Sequence, residues 1–250
     1  MATSYGALCT DFYINQKLAV KMDLPYDRET VLHFFDRVRK PLPAMNRFRR
    51  YDGELALESS RRESTYHWLA IRQNSIRSGH VNPPTMESAA SFHKLLLEQS
   101  PYHLTISPLD VDYLEVMFGF DLECKRDHDE IVSEALLADT PMGAALEVEG
   151  AKPLDMQPVL GLQLTESGDT QAYFEIKTRT KSRRGSGRRY ADEPISMFLT
   201  LRRYGPIDQL EDLPKLYDAM VERAEALASD RLVPHLLMPI SRLISTGSRE

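Results

Sequence analysis

Apolar and polar residues alternate along residues 112–124. Leu114, Val116, Phe118, Phe120, Leu122 and Cys124 take the even positions, and Glu115, Asp121 and Glu123 fall among the odd ones. A period of two marks a strand with one buried and one polar face. The pattern also occurs about one hundred residues earlier, over 12–23, where Phe12, Ile14, Leu18, Val20 and Met22 alternate with polar residues. Pro25 ends this first strand, because proline cannot donate to the ladder. Each strand is followed by an aspartate suited to cap a helix, Asp27 and Asp127, and then by a matching apolar pair, Val31-Leu32 and Ile131-Val132.

The remaining elements follow from spacing and punctuation. Val31, Leu32, Phe35 and Val38 recur at helical intervals until Pro41 and Pro43 stop the helix. Strands are predicted over 47–58 and 65–76, then a loop of turn formers over 78–84 and a helix over 86–99 that Pro101 ends. In the second half the helix after Asp127 reaches about residue 137, and an irregular stretch covers 147–157. Strands follow over 159–165 and 171–180, joined by the turn Ser167-Gly168-Asp169, and another over 195–204. A long amphipathic helix carries Leu213, Leu216, Tyr217, Met220, Ala224 and Leu227 on one stripe, with Asp212 as its expected N-cap. The apolar tail is broken by Pro234 and Pro239.

Read together, the halves are β-α-β-β-α and β-α-β-β-β-α. The expected fold is α+β: a tandem ferredoxin-like pseudo-repeat with its helices on one face of an antiparallel sheet. The first unit covers 11–107, the second 108–230 and the tail 231–250, and the two units can form one continuous domain.

Length and composition narrow the class. A chain of 250 residues, 42% hydrophobic and 27% charged, can bury a sizeable core. Its net charge of −6 argues against a protein that coats nucleic acid, without excluding a local basic patch. Cys9 and Cys124 form no pairing or zinc motif, which suits a reducing compartment. Residues 1–10 lack the basic start and apolar run of a secretion signal, and no stretch has the ~20 apolar residues of a membrane span. A soluble, cytoplasmic protein with no membrane contact is expected.

The densest local signal is basic. Arg179, Lys181, Arg183, Arg184, Arg188 and Arg189 crowd around Gly185-Ser186-Gly187. Forked guanidinium donors on a pliant backbone match phosphates or an acidic partner. A solvated hairpin tip explains the same residues. A weaker anion site is Arg72 with Arg77, at a strand end before a helix. The outward faces of the strands are a third candidate, with Glu115, Asp121 and Glu123 on one strand and Glu175, Lys177 and Arg179 on a later one. Neighbouring strands would pair these charges across the ladder; a polar sheet face can equally be a binding platform. Asp110, Asp112 and Asp127-His128-Asp129 offer metal-ligand chemistry, yet turns and helix caps account for the aspartates. The aromatics Trp68, Phe118, Phe120 and Phe174 read as core.

No catalytic set, metal site or cofactor is implied: the histidines lack ligand spacing and the serines lack a nucleophile elbow. The expected function is non-enzymatic binding or assembly with a macromolecule, through the sheet face, the basic loop or the apolar tail. A protein partner or self-association fits best. The element order and the loop Lys181–Arg189, with its glycines, resemble the CRISPR-associated RNA endonucleases of the repeat-associated group. That resemblance implies RNA binding or processing through 179–189; the extra strand of the second half departs from it, and it transfers no catalytic histidine.

Overall fold

A computed structural model of the chain describes residues 4–181, 189–190 and 193–246. Eleven strands occur in these residues: β1 (Asp11–Val20), β2 (Arg47–Tyr51), β3 (Glu54–Glu58), β4 (Tyr66–Arg72), β5 (Ser75–Val81), β6 (Val111–Leu122), β7 (Val159–Gln163), β8 (Thr170–Lys177), β9 (Thr180–Lys181), β10 (Arg189–Tyr190) and β11 (Ile195–Tyr204). The helices are α1 (Arg28–Arg39), α2 (Met86–His103), α3 (His128–Leu137), α4 (Pro141–Ala144), α5 (Leu213–Leu227) and α6 (Met238–Thr246). Nine strands form one sheet in the order β2-β3-β4-β5-β1-β6-β11-β8-β7; β9 and β10 pair separately. Every ladder is antiparallel. The fold is therefore α+β, with helices packed on one face of a large antiparallel sheet.

The two alternating stretches lie side by side at the centre. β1 pairs with β6 from Asp11 opposite Asp121 to Leu18 opposite Leu114 and beyond. Each half then builds outward with its last strand beside its first, as β1-β5-β4-β3-β2 and as β6-β11-β8-β7. The even residues Phe12, Ile14, Leu18, Leu114, Val116, Phe118 and Phe120 are all buried. Phe12 stacks edge-on against Phe118 with ring centroids 5.7 Å apart. α1 and α2 pack together, α2 meets α5, and α5 rests on β6.

Several expected boundaries are corrected. The strand predicted over 47–58 is the hairpin β2–β3, turning at Asp52-Gly53, where Gly53 adopts φ +67°. Asp-Gly is a favoured hairpin turn that the surrounding Arg and Leu residues disguised. The strand over 65–76 is likewise the hairpin β4–β5, so the first half has five strands in the sheet. The loop predicted over 78–84 is mostly β5: Ser78, Gly79 and His80 are buried in the sheet, because tertiary partners override their turn preference. Pro101 lies inside α2, in its last turn, where one lost donor is tolerated and Leu104 N still donates to Ser100 O. Asp27 and Asp127 cap α1 and α3 as expected, with Thr30 N donating to Asp27 Oδ1 at 2.9 Å. Asp212 makes no side-chain cap at α5.

The tail departs most. Ala228–Leu237 continues α5 as a π-helical stretch that contains Pro234, and α6 follows directly. The wider turn absorbs the proline that an α-helix would not. Leu232, Leu237 and Ile240 are fully buried, so the tail completes the core and does not offer these side chains to a partner. No helix among the described residues is long and apolar enough to cross a membrane.

Candidate binding face

Odd residues of the central strands point away from the helices. The helix contacts reach the other face, where His93 and Phe92 of α2 meet Ser78, His67 and His80, and we call this second face helix-free. On the outer strands, Trp68 on β4 stands opposite Gly79 on β5. A Cβ at Gly79 would lie 2.1 Å from Trp68 Nε1, so the indole lies across the glycine. Tyr13 on β1 covers Gly119 on β6 in the same way, with a Cβ 2.1 Å from its ring. A side chain at either glycine would lift the ring off the sheet.

These rings border two adjoining depressions that share Tyr66 and Trp68. One, of about 430 Å³, is walled by Tyr51, Tyr66 and Trp68 above a floor that includes Ala56. Its arginines are matched within the chain. Arg72 Nε donates to Glu54 Oε2 at 2.6 Å, and Arg77 Nη1 lies 3.6 Å from the same oxygen. Arg61 Nη2 donates to Glu58 Oε1 at 2.9 Å, and Tyr51 donates to the same atom at 3.0 Å. Arg77 also stands over the Trp68 ring, 5.7 Å from its centroid.

The second depression, about 210 Å³, is lined by Asp11, Tyr13, Asn15, Tyr66, Trp68, Val81 and Asp121. Its balance is acidic. Asp11 and Asp121 are direct partners across β1 and β6, so two carboxylates share one short stretch of ladder. Tyr13 donates to Asp121 Oδ1 at 3.3 Å, and Asn82 Nδ2 donates to Asp11 Oδ1 at 2.6 Å. Burial raises the Asp121 pKa above the ordinary carboxylate value, and Asp11 adds to the rise; the Ser196 and Tyr13 hydroxyls and the Arg179 guanidinium act the other way. Asn15 Oδ1 is buried without a hydrogen-bond partner.

Elsewhere the face holds paired charges over aromatic rings. Arg202 Nε donates to Glu115 Oε2 at 2.5 Å, and its guanidinium lies 5.4 Å from the Tyr113 ring and 5.5 Å from the Tyr173 ring. The expected pairing of β6 with the later charged strand is corrected here. β11 intervenes, so Glu115 meets Arg202, while Lys177 pairs with Glu175 of its own strand.

The other predicted residues fall as follows. Arg179 Nη1 donates to Glu193 Oε2 at 2.7 Å and Nη2 to Ser196 Oγ at 3.3 Å, which ties it to the rim of this face. Lys181 and Arg189 are partners in the β9–β10 ladder. Arg183, Arg184 and Arg188 lie outside the described residues. Asp129 is buried, accepting from Thr178 Oγ1 at 2.6 Å and Met156 N at 3.0 Å, and His128 is buried beside Cys124 O. Among the described residues no three His, Cys, Asp or Glu side chains gather as metal ligands. Phe118, Phe120 and Phe174 are core, as expected; Trp68 is instead on the open face. Tyr13, Asn15, Tyr66 and Asp11 line the site without any local motif that marks them. The available signal was an aromatic residue at an outward strand position, since water gives no reason to place one there.

The helix side of the same strands holds a second polar group, sealed from solvent. Ser78 Oγ is hydrogen-bonded to Gln16 Oε1 at 2.9 Å and to His93 Nδ1 at 2.8 Å, and His93 Nε2 to Ile14 O at 3.2 Å. His80 packs on His67 with ring centroids 3.8 Å apart. Both His80 nitrogens, Gln16 Nε2 and the Tyr217 hydroxyl are buried without partners. Burial pushes His80 and His93 down to about 3, with a neighbouring histidine as the lesser cause for each, and burial lowers His67 as well. These rings are neutral packing groups.

Compared with known proteins, the chain matches no family model and no curated protein.

Proposed function

We propose that this is a non-enzymatic binding protein that takes a basic segment of a partner protein on the helix-free face. A lysine or arginine side chain would seat in the depression between Asp11, Asp121, Tyr13, Tyr66 and Trp68. The observation that carries this reading is the convergence there of two cross-strand carboxylates, Asp11 and Asp121, between aromatic rings. Acceptors in excess call for a donor, and a cationic one adds charge attraction. The rings suit its aliphatic stem and its charged head alike. The raised pKa of Asp121 supports the same partner, because a cation would stabilise the ionised form that burial disfavours.

The same carboxylates oppose a polyanion on this face. Holding RNA through 179–189 is the alternative, supported by the arginine-rich sequence of that segment. The duplication belongs to the proposal too. We read 11–107 and 108–230 as ferredoxin-like copies about an axis between β1 and β6, supported by the outward strand order of each half and the caps at Asp27 and Asp127.

Selection of a displayed random-peptide library on the wild type and on an Asp11→Asn/Asp121→Asn variant tests the partner chemistry. Enrichment of Lys- or Arg-bearing peptides that weaken with salt and lose the variant supports it. Acidic or uncharged peptides, or equal binding by the variant, overturn it. An oligoribonucleotide bound by the wild type and lost on Arg183→Ala/Arg184→Ala/Arg188→Ala/Arg189→Ala would favour the RNA reading.

A further inference from the structure

The sheet ends in two strands of opposite character. β2, at one end, reads Arg-Phe-Arg-Arg-Tyr; β7, at the other, reads Val-Leu-Gly-Leu-Gln with no charge. All five residues of β7 are exposed, with Val159 and Leu160 each at 57% and Leu162 at 47%. Charged side chains on an edge strand keep other chains from pairing with it, and β7 lacks that protection.

Its backbone also has a defined phase. Ile176 N donates to Pro158 O and Leu164 N to Thr170 O, so the even residues bond to β8. Val159, Gly161 and Gln163 therefore turn their N–H and C=O groups outward, where β7 has no neighbour among the described residues.

We infer that β7 pairs antiparallel with β7 of a second copy of this chain about a two-fold axis through Gly161. In that register Gly161 faces Gly161 and Val159 faces Gln163, so every outward donor and acceptor of the strand meets its counterpart. Leu160 stands opposite Leu162 on the helix side, and the two copies together make a four-leucine cluster from side chains that are exposed in the monomer. No charged residue lies within β7, so no like charges oppose one another along the paired strands. The same operation on β2 would set Arg49 against Arg49. The interface is isologous and closes at the dimer.

This surface is separate from the helix-free face, so either proposal can fail alone. Sedimentation velocity of the full chain over a concentration series tests it, beside Leu160→Lys/Leu162→Lys and a control, Phe48→Lys on β2. The expected result is a reversible species of twice the 28.6 kDa monomer mass, weakened at least tenfold by the leucine substitutions and unchanged by the control. A circular-dichroism melt verifies that each variant folds. Hydrogen exchange gives a second reading that needs no variant: the amides of Val159, Gly161 and Gln163 should gain protection as concentration rises. A monomer at every concentration, a dimer indifferent to Leu160→Lys/Leu162→Lys, or an open-ended series of oligomers overturns the inference.

Discussion

Two polar groups sit back to back on β1 and β5, one on each face of the sheet. On the helix side, Gln16, Ser78 and His80 are sealed with His93 beneath the helices. One residue along, Asn15 and Gly79 belong to the open face, where Trp68 crosses the glycine. The sealed group is held neutral, its histidines depressed to about 3 by burial. The open group keeps carboxylates, one of them with a raised pKa. The contrast teaches that desolvation acts on both faces, yet only the open face leaves room for a partner to answer it. A desolvated polar group in a sealed core is a packing cost; a half-buried carboxylate beside an open depression is a binding preference.

The largest expected effect breaks the shared core. Phe118→Ala, at a fully buried ring between β1 and β11, should lose about 3–5 kcal/mol of stability, measured by urea unfolding. Next, acid should act through the sealed face. Histidines whose folded values lie near 3 bind fewer protons in the fold than in the unfolded chain, where they titrate near 6.5. Their contribution is complete above about pH 6.5 and is lost as pH falls toward 3. Midpoints of unfolding measured from pH 7 to 4 should decline, and His80→Phe should flatten that decline.

Gly119→Val sharpens the other side. Its new side chain meets the Tyr13 ring, so about 1–3 kcal/mol should be lost, and peptide binding should weaken further as Tyr13 leaves Asp121. The smallest effect has the opposite sign. Asp121→Asn removes a carboxylate that burial disfavours while keeping an acceptor for Tyr13, and should raise stability at neutral pH by roughly 1 kcal/mol or less. Because the folded pKa of Asp121 is raised, that gain should shrink as pH falls below the folded value, where the wild-type carboxyl is already neutral.

The strands with one apolar and one polar face were legible. β11 falls where 195–204 was predicted, and the Phe118 and Phe120 register holds because a one-residue slip would expose both rings. The hairpins at Asp52-Gly53 and Gln73-Asn74 were not, since the residues around each turn keep a strand-like composition. The tail misled for another reason: prolines that end α-helices are admitted by a π-helical turn supported by the core. The candidate site was half visible. Asp121 could be placed on the outward face from its phase. That it faces Asp11, and that Trp68 crosses Gly79, depends on long-range strand pairing that local pattern does not encode.

Binding and stability measured together on one variant test the central claim most directly. Asp11→Asn/Asp121→Asn should bind a selected basic peptide at least tenfold more weakly by calorimetry while melting no lower than the wild type. Unchanged affinity in a folded double variant would contradict the assignment of this face as the seat of a cationic partner.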